Sequence, residues 1–154
     1  MQYDPLDLDV DVTPEAAKHA LKREEYTLAL MLSLRLNDNK LIQEMVEAVP
    51  LGKIKKCAQD LPSNYLKWIL TQLSRLLQES PHLEHTLLWL ESILVAHGRY
   101  MRRNNSSLSS VMKSLMRGLA ILDSDLQTAA LRNLHMLMFL GSVSLEDRES
   151  SKTN

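Results

Sequence analysis

Glycine and aromatic side chains are both scarce in this 154-residue chain, with Gly 4 and aromatics 5%. Turn-rich β architectures draw on glycine at tight turns and on β-branched and aromatic residues in strands. Leucine is abundant instead, so an all-α fold is the first expectation. Charge of one sign is missing too, and a net −1 at pH 7 gives no whole-chain reason to bind nucleic acid. No apolar run approaches the roughly 18 residues of a membrane-spanning helix. The first residues carry neither the basic nor the apolar region of a secretory leader, so none is expected. The single cysteine, Cys57, has no partner for an internal disulfide, which is the usage of a reducing compartment. The length suits one ordinary domain able to bury about two thirds of its unfolded surface.

Chemistry-bearing patterns are equally sparse. The chain has no Gly-rich phosphate loop, no G-x-S-x-G elbow and no carboxylate pair that sequence can locate in a cleft. Cys57 lies on the apolar face of its segment, where a packed thiol is the simpler reading than a nucleophile lacking a base. His82 and His85 flank Glu84 and share a helix face, and His97 follows a dozen or so residues on. A metal site needs three or four converging ligands, so these histidines read as polar residues at a helix start. No catalytic, cofactor-binding or metal residues are expected.

What is present is helical periodicity. The stretch from Leu61 to Arg103 reads as two apolar helices joined at Ser80-Pro81. The first, Ser63 to about Glu79, sets Leu66, Ile69, Leu70, Leu73, Leu76 and Leu77 on one face. The second, Pro81 to about His97, carries Leu83, Leu87, Leu88, Trp89, Leu90, Ile93, Leu94 and Val95 around most of its circumference. A helix apolar all round is normally buried on several sides, so this hairpin is the expected centre. Gly98 permits a bend after it, though Arg99 to Arg103 could extend the helix, and Asn104 to Ser107 reads as a loop.

Ahead of the hairpin, residues 1–12 alternate Asp7, Asp9 and Asp11 with Leu6, Leu8, Val10 and Val12. That is a strand pattern with no sheet to join, so an acidic extended arm or linker is expected. Thr13-Pro14-Glu15 supplies an N-cap, a proline at the first helical position and an acid beside the positive helix end. Short helices are expected over Ala16–Leu21, Glu24–Leu36, Lys40–Val49 and Lys53–Gln59. They are broken at Asn37-Asp38-Asn39, at Pro50 with Gly52, and at Leu61-Pro62. Short connections suggest antiparallel helical hairpins stacked in a solenoid-like array. No segment repeats with the signature residues of a 34-residue or roughly 40-residue repeat.

From Leu108 the pattern becomes a heptad seam: Leu108, Met112, Leu115, Leu119, Leu122, Leu126 and Ala129 step by four and three. It continues in line through Asn133, Met136 and Leu140. Ser124 with Gln127 makes a capping-box pattern, so two helices joined near Asp123 are the alternative to a single long C-terminal helix, which is preferred. The seam is either a core helix or a surface that pairs with another chain, with Asn133 placed like the polar residue that fixes coiled-coil register. The partner-binding candidates are Leu108, Met112, Leu115, Leu119, Leu122, Leu126 and Asn133. Residues 13–140 would form the helical interaction domain, and 141–154 a disordered polar tail.

Two basic clusters remain, Lys53, Lys55 and Lys56 on one helix and Arg99, Arg102 and Arg103 at the end of another. They suit RNA phosphates or an acidic partner equally, and the arginines also offset the negative end of a helix dipole. Tyr100 is the one aromatic interleaved, which is thin support for base stacking.

Several runs carry a resemblance: Val12-Thr13-Pro14, Arg35-Leu36-Asn37, Glu47-Ala48-Val49-Pro50, Leu61-Pro62 with Tyr65, His82-Leu83-Glu84, Leu87-Leu88-Trp89 and His97-Gly98. Over roughly Asp9 to Leu140 the chain resembles the C-terminal helical domain of the WD-repeat proteins of the small-subunit processome. These are packing and turn residues and mark no active site. The resemblance implies a fragment of a longer protein, with tandem β-propellers ahead of it and the acidic arm as a linker. It implies a non-enzymatic scaffold of the nucleus and nucleolus that joins the C-terminal domains of related WD-repeat subunits. Through that assembly it implies contact with pre-ribosomal RNA and the U-three small nucleolar ribonucleoprotein, with no membrane and no small-molecule substrate. The other readings are an RNA-binding helical domain using the basic clusters, and a helical adaptor of a vesicle or cytoskeletal assembly.

Overall fold

A computed structural model describes the backbone over residues 11–150 and the side chains over residues 11–141. The expected arm falls almost wholly outside the described residues, as do residues 151–154. The described chain is all-α: α1 (Pro14–Lys22), α2 (Tyr26–Leu36), α3 (Asn39–Ala48), α4 (Leu51–Asp60), α5 (Leu66–Glu79), α6 (Leu83–Arg103) and α7 (Asn105–Ser150). It divides into two compact units, Met1–Gly118 and Leu119–Asn154.

Local chemistry sets the helix ends. Thr13 Oγ1 accepts from the Ala16 amide at 3.1 Å and Pro14 opens α1. Asn37 closes α2 in the left-handed region at φ 53°. Asp38 then caps α3 by accepting from the amides of Lys40 and Leu41 at 2.9 and 3.3 Å. Glu24 takes the left-handed conformation between α1 and α2 with φ 61°. That strained turn moves the start of α2 from the expected Glu24 to Tyr26. Gly52, expected in a break, lies in the first turn of α4.

Within the first unit the helices form two layers. α1, α3 and α5 succeed one another in one layer and α2, α4 and α6 in the other, with α1 packed on α2 and α5 on α6. This is the solenoid-like stack of hairpins expected. The burial is distributed differently from expectation. The helix buried on all sides is α2, where Ala29, Leu30, Met31, Leu32, Ser33 and Leu34 are all inaccessible. It lies against α1, α3 and α4. In α6 only Trp89, Leu90 and Ile93 of the apolar set are fully buried, while Leu87, Leu94 and Val95 are exposed. The expected face of α5 is buried throughout, from Leu66 to Leu77.

Side-chain donors tie the helices together both between and within the layers. In α3, the carbonyl of Val46 would accept from the amide four residues on, but that residue is Pro50, which has no N–H. In α4, the carbonyl of Ala58 faces the same lack at Pro62. α6 supplies both missing donors. Trp89 Nε1 donates to Val46 O at 3.1 Å, with His85 Nε2 at 3.0 Å from the same oxygen, and His97 Nε2 lies 2.7 Å from Ala58 O. Residues 85, 89 and 97 share one face of α6, so a single helix closes the ends of two others. On the other layer, Gln72 Nε2 donates to Asn39 Oδ1 at 2.9 Å and Arg75 Nη2 to Asn39 O at 3.1 Å, joining α5 to the start of α3. Ser80 Oγ donates to Glu47 Oε1 at 2.9 Å and so anchors the α5–α6 turn. Among the described residues no buried side-chain N or O atom lacks a partner.

α6 runs on to Arg103, and the expected loop over Asn104–Ser107 shrinks to a single residue between helices, Asn104. Its carbonyl accepts from the amides of Ser107 and Leu108 and from Ser107 Oγ, which starts α7 at once. α7 is continuous through Asp123: Gln127 Nε2 donates to Asp123 Oδ2 across one turn at 2.9 Å, rather than capping a new helix. Its backbone stays helical to Ser150, where a disordered tail was expected. Glu, Arg and Leu are good helix formers, and neither proline nor glycine follows Gly141.

Replacing Trp89 by Phe keeps most of the apolar bulk and removes the indole N–H. Urea denaturation should show a loss of about 1–3 kcal/mol. A loss of the same size in Trp89→Phe and in Trp89→Phe combined with His85→Phe would contradict shared capping of Val46 by the two rings.

Candidate partner interface

α7 carries the seam, and its two parts fall in different environments. In the first unit, Leu108 and Leu115 are each 3% exposed and Met112 is half-buried. Ser114 Oγ hydrogen-bonds Ser74 Oγ of α5 at 2.9 Å beside them. These residues complete the core of their own chain, so Leu108 and Leu115 have no surface to offer a partner. In the second unit the seam is open. Leu119 and Leu126 are 39% and 55% exposed, Leu122 is half-buried, and Asn133 is exposed. The seam is thus core on the first stretch of the helix and exposed on the second.

The second unit presents more apolar surface than the heptad positions suggested. Ile121, Leu131, Leu134, Met136, Leu137, Met138, Phe139 and Leu140 are all more than half exposed. Leu134 to Leu140 is apolar at every position but His135. A helix apolar on all sides is stable in water only when it is covered on several sides. The run Leu-His-Met-Leu-Met-Phe-Leu carries that signal, whereas a single heptad stripe includes only its Met136 and Leu140. The methionines add adaptable, polarizable contacts of the kind found on binding surfaces. Among the described residues no helix is long and apolar enough to cross a membrane.

The basic clusters are where the sequence put them. Lys53, Lys55 and Lys56 are exposed on α4, and Arg99, Arg102 and Arg103 are exposed on the last turn and a half of α6. His97 is level with Ala58 near the end of α4, so the arginines extend beyond that helix. The two clusters thus form successive patches and not one concentrated site. Tyr100 between the arginines is half-buried, which limits its use as a stacking platform.

His85 and His97 commit their Nε2 atoms to backbone carbonyls, and among the described residues no group of His, Cys, Asp or Glu converges as metal ligands. Cys57 is 3% exposed and receives a hydrogen bond from Thr27 Oγ1 at 3.4 Å. Burial pushes its thiol up from the usual 9.0 to about 11, with the Asp60 carboxylate adding to the rise and the Thr27 hydroxyl opposing it. Such a thiol is protonated and inert at neutral pH. Cys57 also borders a shallow groove lined by Tyr26, Thr27, Lys53 and Asp60, but its thiol is buried and held protonated there.

The first unit and the open helix define a class: an all-α packing module whose accessible special feature is an uncovered apolar helix. Comparison with known proteins gives the family. The chain belongs to the Dip2/Utp12 Family, matched over residues 37–142. It is 34% identical over 138 residues to the Periodic tryptophan protein 2 homolog of Schizosaccharomyces pombe, covering 90% of this chain and 16% of that protein. It is 38% identical over 141 residues to Periodic tryptophan protein 2 of Arabidopsis thaliana, covering 92% and 16%. It is 34% identical over 147 residues to Periodic tryptophan protein 2 of Saccharomyces cerevisiae, covering 94% and 16%. The chain thus spans about 16% of the length of these relatives.

The thiol gives a test with a definite sign. Because the folded-state value is raised, its contribution to stability is present below pH 9 and is lost as pH rises through 11. Cys57→Ala should remove up to about 2–3 kcal/mol of the alkaline loss measured by urea titration between pH 8 and 11.5. At pH 8 the native thiol should react with a disulfide reagent far more slowly than in urea. Equal rates would show that Cys57 is not held in the core.

Proposed function

We propose that this chain is a non-enzymatic scaffold module that joins C-terminal domains of related WD-repeat subunits in the small-subunit processome, in the nucleolus of the nucleus. The observation that carries the reading is the second unit of α7, from Leu119 to Leu140, where apolar side chains stand exposed around the whole helix. Burying such side chains is worth about 25 cal/mol per Å² of apolar area, and a helical partner with a complementary groove is the natural cover. Similarity to proteins named Periodic tryptophan protein 2 supports placing that partner among processome subunits. Pre-ribosomal RNA and the U-three small nucleolar ribonucleoprotein belong to the full assembly in this reading, and neither a small-molecule substrate nor a membrane takes part.

The six exposed cations support a second, smaller role in touching RNA phosphates. That contribution is independent of sequence and falls with salt.

Leu119→Glu with Leu126→Glu changes exposed positions only, so the helical circular dichroism and melting transition of the first unit should persist. Light scattering with a related C-terminal domain should show the complex of the parent chain lost in the double variant. A complex that survives in the folded variant would exclude this surface. Affinity for single-stranded RNA should fall steeply between 50 and 200 mM salt, and a flat dependence would remove the phosphate contacts.

A further inference from the structure

The outward face of α6 has an order of side chains that suits its own reversed copy. At helical spacing, Glu84, Leu87, Glu91, Leu94, Val95, Gly98 and Arg102 lie along one stripe, with Arg99 at its border. This stripe is opposite the face that carries Trp89 and Ile93 into the core. Leu87, Leu94 and Val95 are 36%, 41% and 71% exposed, and Leu83 and Leu88 beside them are half-buried. All the charged members are exposed: the acids occupy the first half of the stripe and the bases the second. None of the four forms an ion pair among the described residues. Gly98 has open space above it, with nothing within 4 Å of where a Cβ would stand, so another backbone can approach there.

We propose that two copies of this chain associate through α6, the helices antiparallel about a two-fold axis passing near Ile93. In that register Glu84 of one copy faces Arg102 of the other, Glu91 lies within a turn of Arg99, and Leu88 lies over Gly98. Leu94 and Val95 of both copies meet at the centre. A two-fold interface must be complementary to itself. A stripe that is acidic at one end, apolar in the middle and basic at the other meets that condition only when reversed. A parallel pair would set acid on acid and base on base, which penalises the alternative. The arginines, equally suited to phosphate or to an acidic partner in isolation, thereby acquire a specific acidic partner. This surface shares no residue with the second unit of α7, and the inference stands whether or not that unit binds a related domain.

Sedimentation velocity from 1 to 200 μM tests this in the Leu119→Glu, Leu126→Glu background, where the open helix no longer contributes. The expected result is a monomer–dimer equilibrium that weakens with salt. Glu84→Arg with Glu91→Arg, and separately Arg99→Glu with Arg102→Glu, should each be monomeric over the range. Mixing the two variants should restore a dimer by pairing an all-basic stripe with an all-acidic one. A parent chain that stays monomeric at 200 μM overturns the proposal. So does a dimer unaffected by either charge reversal, or a mixture that fails to associate while both variants remain folded.

Discussion

Two carbonyls that their own helices cannot satisfy, Val46 O and Ala58 O, set the arrangement of the first unit. Each stands four residues before a proline, so the amide that would continue the helical ladder is absent. A buried carbonyl without a donor costs about 1–3 kcal/mol, and that cost is removed only if α6 lies across both helix ends with His85, Trp89 and His97 facing inward. The prolines that break the chain into short helices thus also dictate where a later helix must go. Apolar burial would tolerate some sliding of α6 along α4, whereas three directional hydrogen bonds on one helix face do not.

With α6 fixed, the rest of the unit follows from ordinary packing. α2 fills the space among α1, α3 and α4, α5 is held to α3 through Asn39, Gln72 and Arg75, and the turn after α5 is held to α3 through Ser80 and Glu47. The start of α7 then buries Leu108 and Leu115 and meets α5 through Ser114 on Ser74. Beyond Gly118 the same helix enters a unit in which apolar positions are uncovered, and there the functional reading shifts from folding to association.

Much of this was legible in the sequence because the signals were local. Thr13-Pro14, Asn37-Asp38 and Pro50 carry their own capping and breaking chemistry, and the spacing of Leu66 to Leu77 depends only on helix geometry. The seam from Leu108 was visible for the same reason. What sequence did not reveal depends on distant neighbours. Nothing about Leu30 as against Leu94 says that the first is enclosed and the second exposed, since that follows from α2 having three helices around it. The role of His85 and His97 required knowing that Val46 and Ala58 lie beside them, so they read as plain polar residues. The apolar run from Leu134 to Leu140 is local and legible, but a single heptad stripe takes in only two of its residues.

The central claim is that the second unit of α7 is a surface completed by another chain. Amide hydrogen exchange on the chain alone and with a related C-terminal domain tests it most directly. The account predicts fast exchange across residues 119–140 in the free chain and strong protection there in the complex, with α2 and α5 slow in both states. Protection confined to α4 and the end of α6, with residues 119–140 unchanged, would contradict it.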